Sequence, residues 1–242
     1  MSALELFTKT AARKLFLHDK QYSLTAADIR CGAWSNSLDS IIIETANSDA
    51  DLQILELQDE SVDDLLNLLH PLCNGKNKSP VVCIDYLQII PHRFDNIKIG
   101  IDNTVRKLKK FQCDTNTTFI VISSFNRTNY NQSVSFESFK ESGGIEYSAD
   151  VVWALQLFIM NEIKGGADIF QTRKKIDYAK KIQPRQIHLK CLKNRQGSNY
   201  DCFFQYFSAH DYFEPCDESN FSNKNNKNTD IDSISIDVDN QK

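Results

Sequence analysis

Val81-Val82-Cys83-Ile84-Asp85-Tyr86-Leu87-Gln88-Ile89-Ile90 is the stretch from which the rest of the chain can be read. Its first four residues form an unbroken apolar run that stops at an acid. A run without alternation is the pattern of a strand covered on both faces, as in a parallel sheet. An acid directly after such a strand sits at the C-terminal edge of the sheet, where α/β proteins bind ligands. A carboxylate there can hold Mg2+, directly or through water; it can equally be a strand-ending Asp that caps the next turn.

Downstream, Ile97, Ile101, Val105 and Leu108 repeat at helical spacing. Phe119–Ile122 and Val151–Leu155 read as further buried strands, and residues 186–192 and 202–207 as a hairpin closed around Gln196-Gly197-Ser198. Upstream, Leu4, Phe7, Ala11 and Leu15 mark one helix; a second follows Ser23 and Thr25 and stops near Gly32, and a third covers 37–45. Residues 52–57 read as a short strand. Ser61 and Asp64 form a capping box for a helix whose stripe is Val62, Leu65, Leu66, Leu69 and Leu72. Strands alternating with helices predict an α/β fold with a mainly parallel sheet.

Length and composition set the outer bounds. The chain has 242 residues and is 41% hydrophobic, enough for one domain with a real core, here 1–216, followed by a tail over 217–242. That tail holds 6 acids against 3 Lys and is rich in Asn and Ser, which predicts disorder; Ile234, Ile236 and Val238 alternate and could instead add a strand to a partner. The formal net charge of −4 argues against a chain basic throughout, but the charge is uneven. Residues 1–70 carry 12 acids and 5 bases, whereas 159–195 carry 3 acids and 10 bases. The basic segment either meets phosphate or is a solvated face. Seven cysteines, an odd number with no C-x-x-C pair, fit neither a zinc site nor a secreted disulfide framework. Cys83 and Cys191 lie in apolar runs and read as small core residues. No secretory signal is recognisable, and no run of about 18 apolar residues exists to span a membrane. A cytoplasmic protein is expected.

Several segments, in order, resemble DnaB-type replicative DNA helicases. Asp85-Tyr-Leu-Gln-Ile-Ile90 resembles the Walker B segment, Ser123-Ser-Phe-Asn-Arg127 the family's Ser-Gln-Leu-Asn-Arg, and Lys193-Asn-Arg-Gln-Gly197 its Lys-x-Arg-x-Gly. Glu141-Ser-Gly-Gly-Ile-Glu146 followed by Ala149-Asp-Val-Val152 resembles Glu-Ser-Gly-Ser-Ile-Glu…Ala-Asp-Val-Val. Met1–Leu6 looks like the helix after the family's Glu-Met-Ser, and Asp28–Gly32 like its Leu-Arg-Thr-Gly. The resemblance covers residues 1–216. It implies a RecA-like P-loop NTPase core that uses ATP and Mg2+ to unwind DNA. The implied partners are single-stranded DNA, further copies in a hexameric ring, and a primase or helicase loader.

The same resemblance implies residue roles. Asp85 would tune the Mg2+ shell, through water. Lys193 and Arg195, two apart and so on one strand face, would reach the ATP of a neighbouring subunit; otherwise they are an ordinary exposed face. Ser124, Asn126 and Arg127 would sense the nucleotide. Lys140, Glu141 and Gly143 would form a DNA-backbone loop, in which Gly143 and Gly144 permit positive φ and close approach; otherwise the segment is a plain turn. Arg93 and Lys98 are weaker candidates for a second DNA loop, or simple surface charges.

Three departures stand out. These 242 residues contain no Gly-x-x-x-x-Gly-Lys-Ser/Thr loop, and in the family that loop, its strand and the catalytic Glu precede the Met-Ser helix. The expectation is therefore a core truncated upstream of Met1, inactive alone, with apolar surface exposed beside the first strand and poor solubility. Either the reading frame begins late, or the chain is a relic or a non-hydrolysing partner. Ser124 stands where the family has Gln. Residues 159–182 are longer and more basic than the family's connection and read as a mobile loop, whose Arg173–Lys175 and Lys180-Lys181 clusters touch DNA backbone or are ordinary surface charge. A non-hydrolysing single-strand-binding or helicase-partner protein on the same fold is the alternative function; the Asp-Tyr-Leu-Gln and Glu-Ser-Gly-Gly-Ile-Glu segments argue against another RecA-like ATPase.

Overall fold

The computed structural model describes residues 2–21, 23–47, 52–73, 79–126, 132–139, 142–163 and 168–221. Three helices open the chain: α1 (Ala3–His18), α2 (Ala26–Arg30) and α3 (Asn36–Ala46). Each begins where a small polar side chain satisfies backbone amides that have no helical partner. Ser2 and Glu5 form a reciprocal capping box on α1, Thr25 and Asp28 another on α2, and Ser35 accepts from the Leu38 amide on α3. Ala11 and Leu15 of α1 pack on Leu38 and Ile41 of α3.

The predicted capping box before α4 (Val62–Cys73) is present, with the Ser61 amide donating to Asp64 at 2.9 Å. The strand expected over 52–57 is not: this segment has no regular structure, and Leu52, Ile54, Leu55 and Leu57 are exposed. A strand exists only when an edge pairs with it, and nothing pairs here; its alternation is a local pattern without a partner.

β1 (Val81–Ile84) and β2 (Thr118–Val121) pair in parallel, joined through α5 (Ile97–Thr115). α4 and α5 cover one face of this pair, burying Val62, Leu65, Leu69, Ile84, Leu108 and Phe111 as one cluster. The other face is bare: Val81 is 63% exposed, Ile120 47% and Ile122 51%. The expectation that these strands are covered on both faces is thus corrected to one face, and Cys83, expected in the core, is exposed. Cys191 is buried as expected. The apolar surface expected beside the first strand is present.

The remaining strands, β3 (Val151–Leu157), β4 (Arg185–Asn194), β5 (Asp201–Phe207) and β6 (Tyr212–Cys216), form an antiparallel sheet in sequence order. The parallel part of this α/β fold is therefore the β1–β2 pair alone. The predicted hairpin is the β4–β5 pair. Phe16 of α1 ties the first helices to this sheet through Phe207, ring centroids 4.9 Å apart, and His210.

Two boundaries move. The expected mobile loop 159–182 holds α7 (Ile169–Lys181), capped by Asp168 and docked through buried Thr172 and Ile176; side chains at i and i+4 share a face, which is enough to seat it. Packing also continues past 216. Phe221 is 1% exposed and lies edge-on to Phe158 and Phe203. The rest of the expected tail, 222–242, lies outside the described residues.

Candidate nucleotide and nucleic-acid site

Asp85 leaves β1 at the open edge of the parallel pair, exposed, and its carboxylate has no hydrogen-bond partner among the described residues. The chain then turns through a short 3-10 segment, Leu87–Ile89, anchored by buried Leu87. The Leu87 amide donates to the Ile122 carbonyl at 2.8 Å, and the Ile122 amide to Ile84 at 2.9 Å, so the segments following both strands are stitched together. Gln88 completes the seam: its amide nitrogen donates to Ser123 Oγ at 2.7 Å, and its carbonyl oxygen accepts from the Ser124 amide at 3.2 Å.

That seam fixes the expected nucleotide-sensing residues. Ser124 is held through its backbone, which leaves its hydroxyl exposed. Asn126 donates its amide to Ser138 at 2.7 Å, and Phe125 packs on Phe139. Arg127 lies outside the described residues, as do Lys140 and Glu141.

The two cations are held at the other sheet. Lys193, in β4, donates its ammonium to the Glu146 carbonyl. Arg195, one residue past β4, donates to the Tyr147 carbonyl at 2.8 Å and to Asp150 Oδ1 at 3.1 Å. Both therefore cap the last turn of α6 (Ser142–Ser148), where free carbonyls favour positive charge. They share one face, as their spacing predicts, but they are tied to their own helix and not free on an open strand face. Asp150 is the hub: it also accepts from Lys109 of α5 at 2.6 Å. The Lys109 ammonium, and less strongly the Arg195 guanidinium, hold the Asp150 carboxyl below the usual carboxylate range.

Gly143 opens α6, and nothing would crowd a side chain there. Gly144 is the constrained one. A Cβ there would sit 2.2 Å from Asp102 Oδ1 of α5, and its amide donates to that oxygen at 3.0 Å. The need is close approach, not positive φ, which neither glycine adopts. Arg93 and Lys98 are exposed around the start of α5, where Asn96 caps the Lys98 and Ile99 amides. A cation in a first helical turn is not there to stabilise the helix.

A single exposed carboxylate without a competing cation suits Mg2+, which keeps several waters and takes its other ligands from substrate phosphates. Among the described residues no cluster of three His, Cys, Asp or Glu side chains offers a closed metal cage, and no helix is long and apolar enough to cross a membrane. Asp85 and the pair Lys193 and Arg195 make no contact with one another: one lies at the end of the parallel pair, the others at the end of the antiparallel sheet. Reading the sequence missed Gln88 and Asp150 as links, though both lie inside the segments that carry the resemblance. It also missed Lys109, whose place on the polar side of α5 carries no signal.

The sequence profile of the DnaB-like helicase C terminal domain matches residues 1–215. Two solved structures are similar in fold. One is a DnaB-like replicative helicase studied with its interactions with primase, with TM-score 0.67 and 18% identity over 88% of this chain and 48% of that one. The other is an ATPase domain solved separately, with TM-score 0.70 and 19% identity over 90% of this chain and 72% of that one. The chain thus spans about half the length of the first. No curated protein matches in sequence.

Proposed function

The chain belongs to the DnaB-like helicase C-terminal domain family, and from that premise we propose that it is the motor core of a replicative helicase, which unwinds duplex DNA at the expense of ATP as part of a hexameric ring. Asp85 would hold the shell of an Mg2+ ion that neutralises charge on the phosphates. Lys193 and Arg195 would face the ATP of the adjoining subunit, where fixed cations stabilise the transferring phosphoryl group. Ser124 and Asn126, with Arg127, would report the nucleotide's state. Lys140, Glu141 and Gly143, with Arg93 and Lys98, would hold the DNA backbone. A primase or loader and a cytoplasmic setting belong to the same reading.

The observation that carries it is the double role of α6. Its N-terminal end continues from the expected DNA loop, and its C-terminal carbonyls hold both cations. One short helix thus joins a strand-binding element to an ATP-facing one. The 242 residues hold no phosphate-binding loop, so this chain by itself is expected to turn over no ATP. The same fact favours the second reading, a non-hydrolysing single-strand-binding or helicase-partner protein.

Single-strand-stimulated ATP hydrolysis decides between them. In the native gene product, Arg195→Ala should lower kcat by about 10³-fold or more, as for other cationic fingers, with single-strand affinity kept. A native product without ATPase activity supports the partner reading. Robust hydrolysis untouched by Arg195→Ala refutes the role of the cation, and turnover by the 242-residue chain alone refutes its inactivity.

A further inference from the structure

Helix α7 interrupts the β3–β4 hairpin at the end away from α6. Strand β3 pairs with β4 from Val151↔Asn194, beside the candidate site, to Leu157↔Ile187, beside α7. Seven strand residues separate the two ends by about 23 Å. Whatever α7 does is therefore remote from the expected DNA loop.

Its inner side is accounted for: Thr172 and Ile176 are buried. Its outer side is not. Phe170, Lys174, Tyr178 and Lys181 follow one another at i, i+4, i+8 and i+11 and share a face. Phe170 is 61% exposed and Tyr178 54%. Lys174 Nζ stands 4.4 Å from the Phe170 ring centroid. Counted from Asp168 to Lys181, the helix and its cap carry Arg173, Lys174, Lys175, Lys180 and Lys181 against two acids. One of these, Asp177, is 3.7 Å from Lys180; the other, Asp168, is occupied in capping the Phe170 amide. Arg173, Lys174, Lys175 and Lys181 have no acidic partner among the described residues.

We propose that this face of α7 is a second docking surface for single-stranded nucleic acid. The cations meet successive phosphates while Phe170 and Tyr178 stack on bases. Exposed rings interleaved with unpaired cations are what a sequence-tolerant single-strand surface requires: the charge follows the backbone, and every base offers a π-face. A solvated helix face needs no aromatic residues at all, and leaving two rings in water forgoes the gain of burying them. The proposal rests on the reading of this chain as a handler of single-stranded DNA, and places a contact where the family pattern is interrupted by extra sequence.

The test is fluorescence anisotropy with a labelled oligodeoxythymidine, on the 242-residue chain. Lys174→Glu with Lys181→Glu should weaken binding at least tenfold at low salt. It should also flatten the plot of log affinity against log salt by about 1.4, since each single-strand phosphate contact contributes about 0.7 to that slope. Phe170→Ala with Tyr178→Ala should weaken binding without changing the slope. Lysine acetylation of the unmodified chain gives an independent readout: the oligonucleotide should protect Lys174 and Lys181 but not Lys14, which pairs with Glu44 on the first helices. Unprotected Lys174 and Lys181, or variants that bind within twofold of the parent, overturn the proposal while leaving the motor reading intact. Absence of any oligonucleotide binding by the parent sinks both. Tighter binding to phosphatidylserine vesicles than to the oligonucleotide, lost in the same variants, would assign the face to a membrane surface and overturn it as well.

Discussion

Replacing Asp150 by Asn should loosen the end of α6 and both cations with it. The carboxylate takes Lys109 at 2.6 Å and Arg195 at 3.1 Å. Exposed ion pairs contribute about 0.2–1 kcal/mol each, and the Asp150 side chain is 44% exposed, so solvent screens both. The pairs together then stabilise the fold by about 1 kcal/mol. For a domain of this size that lowers Tm by about 2–4 °C. Because Lys109 and Arg195 hold the folded carboxyl below its ordinary value, its contribution is present above the unfolded value of about 3.9 and is lost as pH falls through the folded one. At neutral pH the parent should be the more stable, and the two proteins should converge below about pH 4. The assay is urea unfolding followed by circular dichroism, at low and at high salt, with Arg195→Met and the double variant to close a cycle. An Asp150→Asn protein as stable as the parent at neutral pH, with no coupling to Arg195, would refute the claim that this carboxylate organises the cations.

Three further outcomes are expected. Gln88→Leu should cost about 1 kcal/mol and speed hydrogen exchange at the Ser124 amide, which loses its acceptor; unchanged exchange there would disprove the seam. Gly144→Ala should destabilise by about 1–3 kcal/mol through overpacking against Asp102, and Asp102→Ala should recover part of it; equal melting of Gly144→Ala and the parent would contradict the close approach. Tyr206 donates to Asp211 at 2.7 Å, and burial, then that carboxylate, push its phenol up to about 12. Its stabilisation should be complete below about pH 10 and disappear as pH rises through about 12, so one tyrosine should ionise late in an absorbance titration; all eight titrating together near their ordinary value would refute it.

Local rules reached the elements that satisfy themselves. Capping pairs at Ser2, Thr25 and Ser61 and apolar stripes on α1, α4 and α5 need only their own neighbours in sequence, and all are present. What failed depended on distant partners. An apolar run such as Val81–Ile84 says that a strand can be covered, not that something covers it. The alternation at 52–57 says which side chains would face together, not that an edge is free to receive them. The sense of pairing was equally hidden, because β4 is apolar enough for either a parallel or an antiparallel neighbour. At the candidate site, Asp85, Lys193 and Arg195 could be picked out because their types and spacing are chemically pointed. Gln88, Asp102, Lys109 and Asp150 act by bridging elements 35 to 45 residues apart, and that distance has no trace in a local pattern.

Helix α6 is seven residues long, about 10 Å. A rod so short has no room to flex along its length, and its flanks are pinned by Asp102 and by Asp150 through Lys109. A push on one tip must reach the other almost undiminished, as tilt or as translation. The carbonyls that grip Lys193 and Arg195 would then swing with the glycines at the opposite tip. Cargo bound at that tip would set the aim of the two cations by mechanics alone, with no relay of proton or charge in between.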